Sequence, residues 1–376
     1  MKTRVRRPEI MAIYCPLWHN YPHASSWKGY GWCEWELVKS AVPRFPGHYQ
    51  PLQPSWGFFD ESDPAWAERE IQLASEHGID VMLFDWYWYS GVRIMEEALE
   101  NGFLRARNNK RLQFALMWAN HDWADYFPAP FGKPWNMWLP SRHCPQDLEQ
   151  VIDYCADHYF KRSNYWKVKN RLFFSIFQPV KFVDELGGAS KVKRLLAKID
   201  RRLRSKDLPP IHWNAMLWVP EPVAMLKEAG FHSTTSYNIV SGAVSPDLLV
   251  NYESVMESHQ TLWHKMKKTS LPYLPTVTVG WDVTPRCEKD IKWPFPPSPL
   301  TGNLDYPYVH VVCGNTPERF QELCENAKRH VEQEAPHAFA ITVNAWNEWT
   351  EGSYLLPEKR TDLAYLEAIQ KTFGTR

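Results

Sequence analysis

Residues 339–352 read FAITVNAWNEWTEG. The opening FAITV is a short apolar run with β-branched residues, the composition of a strand covered on both faces. The run ends at Asn344 and is followed by Trp346, Asn347, Glu348, Trp349 and Glu351, with Gly352 free to take the tight path such a turn needs. A buried strand that ends in carboxylates and aromatic rings is how a barrel strand feeds an active-site loop.

The same pattern recurs upstream. Apolar runs at 10–15, 79–85, 113–118, 172–177, 210–217, 232–238 and 274–280 precede the run at 339–345. Helical patterns at 63–78, 94–107, 146–161, 189–205, 221–230, 246–268 and 317–333 alternate with them, and one at 362–373 closes the chain. Asp63-Pro64 and Thr316-Pro317 read as helix caps followed by proline in the first turn, and Gly78 and Gly230 as C-terminal caps. Eight strand-then-helix units predict an α/β protein, a single (β/α)8 TIM barrel spanning residues 1–376 as one catalytic domain. Long loops follow strand 1 (16–61) and strand 7 (281–315), both on the strand C-terminal face where barrel active sites form.

Composition narrows the function. Lys+Arg and Asp+Glu both number 43, so the net charge is zero and the basic surplus usual for nucleic-acid or anionic-membrane binding is missing. No apolar run reaches the roughly 18 residues of a membrane span. Lys2, Arg4, Arg6 and Arg7 are not followed by an apolar leader segment, so a soluble cytoplasmic protein is expected. The seven cysteines form no CxxC pair, and histidines and carboxylates show no metal-ligand spacing, so neither a metal nor another cofactor is expected. GxSxG, P-loop and GxGxxG motifs are absent, which removes the sequence support for serine hydrolases, NTPases and dinucleotide oxidoreductases. The 20 tryptophans, 17 tyrosines and 18 phenylalanines exceed what a core readily hides, and exposed rings in a cleft are stacking faces for sugars.

Strand ends supply the candidate site. Tyr14 and His19 follow the first run; Asp85, Trp86 and Trp88 close the second; Trp118, Asn120 and His121 close the third. Tyr237 ends the sixth, and Trp281 and Asp282 the seventh. With Glu348 and Glu351 they predict one rim of aromatic faces and hydrogen-bonding groups, a carbohydrate site, with Trp86, Trp88, Trp118 and Trp281 stacking on sugar. Glu348 and Glu351 are the catalytic candidates, because glycoside hydrolysis commonly uses two carboxyl groups flanking the scissile bond. Other readings stay open: a rim tryptophan can cap the barrel core, a rim aspartate such as Asp122 can cap a helix, and a lone histidine such as His48 can be structural.

At these residues the chain resembles a known group. AWNEWTEGSYLLP (345–357) is similar to the AWNEWxEGxYLxP signature of WbsX-like proteins, which are related to glycoside hydrolase family 99, the endo-α-mannosidases. GYGWCEWELVKSAVPRFPGHYQPLQP (29–54), FDWYWYSG (84–91), MWANHDW (117–123), YWKVKNRLFFSIFQP (165–179) and VGWDVTPR (279–286) resemble further segments of that group in the same order. His121 stands where these proteins usually carry Glu, and Leu356 where they carry an acidic residue. The resemblance implies a barrel acting on glycans. It implies Glu348 as a base on the substrate's own 2-hydroxyl, giving a 1,2-anhydro sugar, and Glu351 as general acid and then base. It implies Asn347 orienting substrate or carboxylate, and it matches Tyr14 to a strand-end tyrosine.

The leading expectation is therefore a retaining glycoside hydrolase acting on an α-mannoside-like or related oligosaccharide or polysaccharide. A WbsX-like glycosyltransferase of surface-polysaccharide biosynthesis and a non-catalytic glycan-binding barrel are the alternatives. A nucleotide-sugar transferase needs a diphosphate site, and no acidic metal motif or glycine-rich cradle is readable here.

Overall fold

The computed structural model describes residues 7–374, so Lys2, Arg4 and Arg6 lie outside the described residues. The barrel strands are β1 (Glu9–Tyr14), β2 (Val81–Tyr89), β3 (Gln113–Trp118), β4 (Arg171–Ile176), β5 (Ile211–Met216), β6 (Ser233–Thr235), β7 (Tyr273–Leu274 and Thr276–Thr278) and β8 (Ala340–Asn344). Each pairs in parallel with the next: Met11 sits opposite Val81, Val81 opposite Gln113, Leu116 opposite Phe174, Leu172 opposite Ile211, and Ser233 opposite Asn214. Pro275 has no N–H and splits β7. Its first segment pairs with β6 (Thr234 opposite Tyr273) and its second with β8 (Thr276 opposite Thr342). The chain itself thus joins the two ends of the hydrogen-bonded path, and β8 returns to β1 with Ala340 opposite Glu9. The expected barrel is present.

The helices cover the outer face. Asp63 accepts the Ala65 N–H at 2.9 Å to start Pro64–Glu76, and Thr316 accepts the Arg319 N–H at 3.4 Å to start Pro317–Arg329. Helix Val223–Ala229 ends on Gly230 at φ +100°. The helix expected over 94–107 is instead a wide turn, Ala98–Gly102, followed by a tighter one, Phe103–Arg105. At Gly102 a Cβ would sit 2.2 Å from the Glu61 carbonyl oxygen, so this segment is shaped by its contact with the first loop rather than by helical propensity. Both long loops are present, the first holding helices Pro22–Lys28 and Trp35–Ser40 and the second the turn Thr284–Arg286. A third, unanticipated long loop follows β3 and carries a small hairpin pairing Trp123 with Leu139. None of the helices among the described residues is long and apolar enough to cross a membrane.

Side chains alternate across each strand, and the alternation decides which aromatics reach the barrel mouth. Trp86 and Trp88 point outward from β2: Trp86 donates its indole N–H to the Tyr159 hydroxyl at 3.3 Å, and Trp88 to Asp147 at 2.9 Å. Trp118, on β3, is buried against His143 and Phe182, at ring distances of 5.1 and 6.2 Å. All three rings lie between sheet and helices, not on the rim expected for them. Trp118→Ala is expected to lower the unfolding free energy by about 3–5 kcal/mol, as for other buried aromatics. Trp135, 40% exposed in the loop after β3, is expected to cost about 1 kcal/mol or less when cut to Ala. Guanidinium denaturation of both variants measures the contrast, and equal losses would contradict this placement.

Candidate active site

Inward positions at the strand C-terminal ends enclose a cavity of about 350 Å³. On β2, Asp85 and Tyr87 face it, between the outward Trp86 and Trp88. After β8 the chain makes a hairpin, Asn347–Glu348 against Ser353–Tyr354, with Glu348 and Glu351 at its turn and both lining the cavity. Gly352 closes that hairpin at φ +65°; a Cβ there would lie 2.8 Å from the Asp282 Cβ, so glycine lets the loop after β8 pack on the loop after β7. Asn347 accepts the Cys15 N–H at 2.7 Å and donates to the Cys15 carbonyl at 2.9 Å. That two-point clamp ties the end of β1 to the end of β8 and brings Cys15 against Glu348.

Arg286 is the hub of the floor. Its guanidinium, 4% exposed, donates to Glu348 Oε1 at 2.6 Å and Glu351 Oε1 at 2.5 Å, and lies 3.3 Å from Glu34 Oε2. The same group stacks 4.3 Å over the Phe127 ring. Tyr306 donates to Glu351 at 2.9 Å, and the Tyr237 hydroxyl lies 3.0 Å from Asp85 Oδ2 and 3.2 Å from Glu348 Oε2. Burial, followed by the neighbouring Glu351 charge, holds the Glu348 carboxyl well above the usual glutamate range, with Arg286 pulling the other way. Burial also raises Asp85, and it raises Glu34 against the pull of Arg286. Asp85 Oδ1 and Glu351 Oε2 are buried without donors among the described residues. His121 donates from Nδ1 to the Asp122 carbonyl at 2.8 Å, and burial lowers its pKa, so the ring is neutral with Nε2 left as an acceptor. Aromatic faces come from Tyr87, Trp123, Phe177, Trp281 and Tyr306, while Trp135 and Trp218, 40% and 41% exposed, stand at the mouth.

Residues 10–292 and 306–369 match the family described as glycosyltransferase WbsX. The chain belongs to that family. The uncharacterized protein WxcX of Xanthomonas campestris pv. campestris (strain B100) is 25% identical over 371 residues, covering 96% of this chain and 49% of its own length. The chain thus spans about half the length of the curated relatives it matches. Among solved structures, the family 99 endo-α-mannosidase of Bacteroides thetaiotaomicron superimposes with a TM-score of 0.57 at 13% identity, over 96% of each chain. A structure described as a glycoside hydrolase-like protein gives 0.62 at 12% identity, over 100% of this chain and 96% of its own. At such identities these likenesses speak for the fold.

Among the residues singled out in the sequence, Asp85, His121, Tyr237, Trp281, Glu348 and Glu351 meet at the cavity. The remaining candidates have other partners. Tyr14 donates to Glu70 at 3.1 Å and stacks on Phe84. Asn120 accepts the Gln178 N–H at 2.6 Å and holds His143. Asp282 is gripped by His48 at 2.8 Å and Gln50 at 2.6 Å and lies in a neighbouring surface cavity. Asp122 accepts the Ser141 N–H at 2.7 Å, and Asn347 is the clamp described above. Cys15, Tyr87, Trp123, Arg286 and Tyr306 were missed. Strand alternation held the signal for Cys15 and Tyr87, whereas Trp123, Arg286 and Tyr306 sit in loops without periodicity.

His19 is an ion-pair residue rather than a cavity residue, 2.8 Å from Glu61 and 3.2 Å from Glu97. Burial opposes its charge, but hydrogen bonds to both glutamates outweigh that and lift the ring to about 9. Glu70, beneath Tyr14 and Trp346, is pushed up to about 8 by burial and then by the Glu61 charge. A carboxyl raised on folding contributes its stability in full below its unfolded range near 4.5 and loses it as pH climbs to about 8. His19 acts in the same sense, contributing below about 6.5 and losing that as pH rises through about 9. The melting temperature is expected to fall across this range, and Glu70→Gln to flatten the part between pH 4.5 and 8. Calorimetry of both proteins over pH 4.5–9 checks it, and identical slopes would contradict the Glu70 assignment.

Proposed function

We propose that the cavity is the active site of a retaining glycoside hydrolase acting on an α-mannoside-like or related glycan. The observation that carries this reading is the pairing of Glu348 and Glu351 on one buried guanidinium at the floor of an aromatic-lined cavity. The named activity of the Bacteroides thetaiotaomicron structure, an endo-α-mannosidase, supports the choice of sugar.

The reacting form carries the pair's proton on Glu351 and has Glu348 ionised: Glu348 takes the proton of the substrate's 2-hydroxyl, and O2 attacks C1 as the leaving oxygen receives the proton of Glu351. The 1,2-anhydro sugar is then opened at C1 by a water that gives its proton to Glu351, while Glu348 returns its proton to O2. Two inversions give net retention. A raised pKa makes ionised Glu348 a stronger base toward a weakly acidic hydroxyl, at the cost of needing a higher pH to ionise. His121 Nε2 accepts from a sugar hydroxyl, and Trp135 and Trp218 provide stacking surfaces for the sugars flanking the cleaved bond.

The family description supports a second reading, sugar transfer from a nucleotide donor. Among cavity-lining residues Arg286 is the guanidinium or ammonium group, and it is bonded to both glutamates. A screen of purified protein against oligosaccharides with and without nucleotide sugars separates the two: turnover without nucleotide supports hydrolysis, and strict nucleotide dependence overturns it.

Three variants test the roles. Glu351→Gln is expected to lose about 10²–10⁴-fold on a glycan with a poor leaving group and much less on an activated aryl glycoside. Glu348→Gln is expected to impair both substrates, and a 2-deoxy substrate to be poor for the wild type. Proton NMR of the first-formed product should show the retained anomer; inversion, or full activity of Glu348→Gln, overturns the mechanism. Arg286→Met is expected to move the acidic limb of the kcat/KM–pH profile upward, with Arg286→Lys moving it less. An unmoved limb would leave Arg286 a purely structural group.

A further inference from the structure

Cys15, Asp85 and Glu348 arrive from the ends of β1, β2 and the loop after β8, and their ligand atoms all lie within 4.8 Å of one another. All three line the cavity. Cys15 Sγ lies 3.3 Å from Asp85 Oδ2, touches Glu348 Oε2, and is 3.2 Å from the Tyr237 hydroxyl. A zinc ion bound tetrahedrally with Zn–S near 2.3 Å and Zn–O near 2.0–2.2 Å holds its sulfur and oxygen ligands about 3.5 Å apart, close to the 3.3 Å between Cys15 Sγ and Asp85 Oδ2; Glu348 Oε2, in contact with the thiol, would have to draw back to admit the ion. A second observation points to a cation: Asp85 is 5% exposed and lines the cavity, and while its Oδ2 meets Cys15 and Tyr237, its Oδ1 has no hydrogen-bond partner among the described residues. Glu348 offers Oε2, since its Oε1 is held by Arg286.

We propose that Cys15, Asp85 and Glu348 form a three-ligand site for a thiophilic divalent cation such as Zn²⁺, with its fourth position open to the cavity. Three protein ligands and one open position are the arrangement of accessible zinc centres, and a thiolate selects zinc over magnesium or calcium. Binding replaces the Cys15 S–H bond by an S–metal bond, and the O–H bond of a protonated Asp85 or Glu348 carboxyl by an O–metal bond, and releases those protons to solvent. Where Glu348 is the base of glycan hydrolysis, a ligated Glu348 cannot take the 2-hydroxyl proton, so cation and glycan exclude each other. That consequence rests on the proposed function; the cation site itself does not.

Cobalt(II) is the probe. Titrated into the chelator-treated full chain, it is expected to give a sulfur-to-cobalt charge-transfer band saturating at one equivalent and removed by Zn²⁺ but not by Mg²⁺. The band should vanish in Cys15→Ala, and Asp85→Asn should weaken cobalt binding at least tenfold, with melting curves showing that both variants are folded. In the second arm, Zn²⁺ should weaken oligosaccharide binding to the wild type, read by calorimetry, and leave binding to Cys15→Ala unaffected. Absence of the band, its persistence in Cys15→Ala, or displacement by Mg²⁺ overturns the site. A band without competition overturns the exclusion. If no glycan is ever turned over, the hydrolase reading fails while the cobalt band still decides the site.

Discussion

One guanidinium holds the barrel mouth together. Arg286 comes from the loop after β7, Glu34 from the loop after β1, and Glu348 and Glu351 from the loop after β8, and all four side chains are buried around one another. Removing one partner of a buried ion pair leaves an uncompensated charge, typically at a cost of about 3–5 kcal/mol. These loops are therefore not independent appendages: each completes the electrostatic environment of the others. Thr350 reinforces the arrangement by donating to Glu34 at 2.6 Å, and the Asp282 N–H donates to the Glu351 carbonyl at 2.6 Å. Both glutamates are thereby held in fixed orientations by the protein itself, the preorganisation that the proposed function would require.

Strand runs and helix caps were legible because burial on both faces and capping chemistry leave local patterns. Which face of a strand a side chain takes was not. In the run Asp85-Trp86-Tyr87-Trp88 the tryptophans drew attention by size, but Asp85 and Tyr87 face the cavity and the tryptophans pack against Tyr159 and Asp147. The same parity separates Tyr14 from Cys15, and Trp118 from Met117 and Ala119. Setting the parity needs one inward anchor per strand, and Asp85 would have served: a carboxylate within a buried run belongs on the side where polar partners converge. The loop after β3, source of Trp123, Phe127 and Trp135, has no period to read, and residues 15, 85 and 348 have no informative spacing because the barrel alone brings them together.

More acids than cations meet at the floor, and its protonation follows from that imbalance. Burial raises Glu34, Asp85 and Glu348, while Arg286 supplies one positive charge among them. Protons are the least costly counter-charge in such a space, and burial shifts all three of these carboxyls toward their neutral forms. A thiophilic cation would substitute for those protons, and an ionised Glu348 becomes a strong base for the same reason that it is hard to ionise.

Under the proposed function, that acidity also bears on which glycans the cavity would accept. A uronate, a sugar phosphate or a nucleoside diphosphate would bring negative charge against Asp85, Glu348 and Glu351 where water screens little, with Arg286 already engaged. A neutral hexose meets the opposite situation. Its hydroxyls can donate to Asp85 Oδ1, a cavity carboxyl oxygen without a donor among the described residues, and to His121 Nε2. Its apolar C–H face can lie on Trp281 or Tyr306. Each hydrogen bond donated to a carboxylate favours its ionised form, so binding an uncharged sugar would itself lower the barrier to ionising the floor. An anionic ligand would raise that barrier, and under the proposed function this electrostatic difference favours a neutral glycan over a nucleotide-linked one.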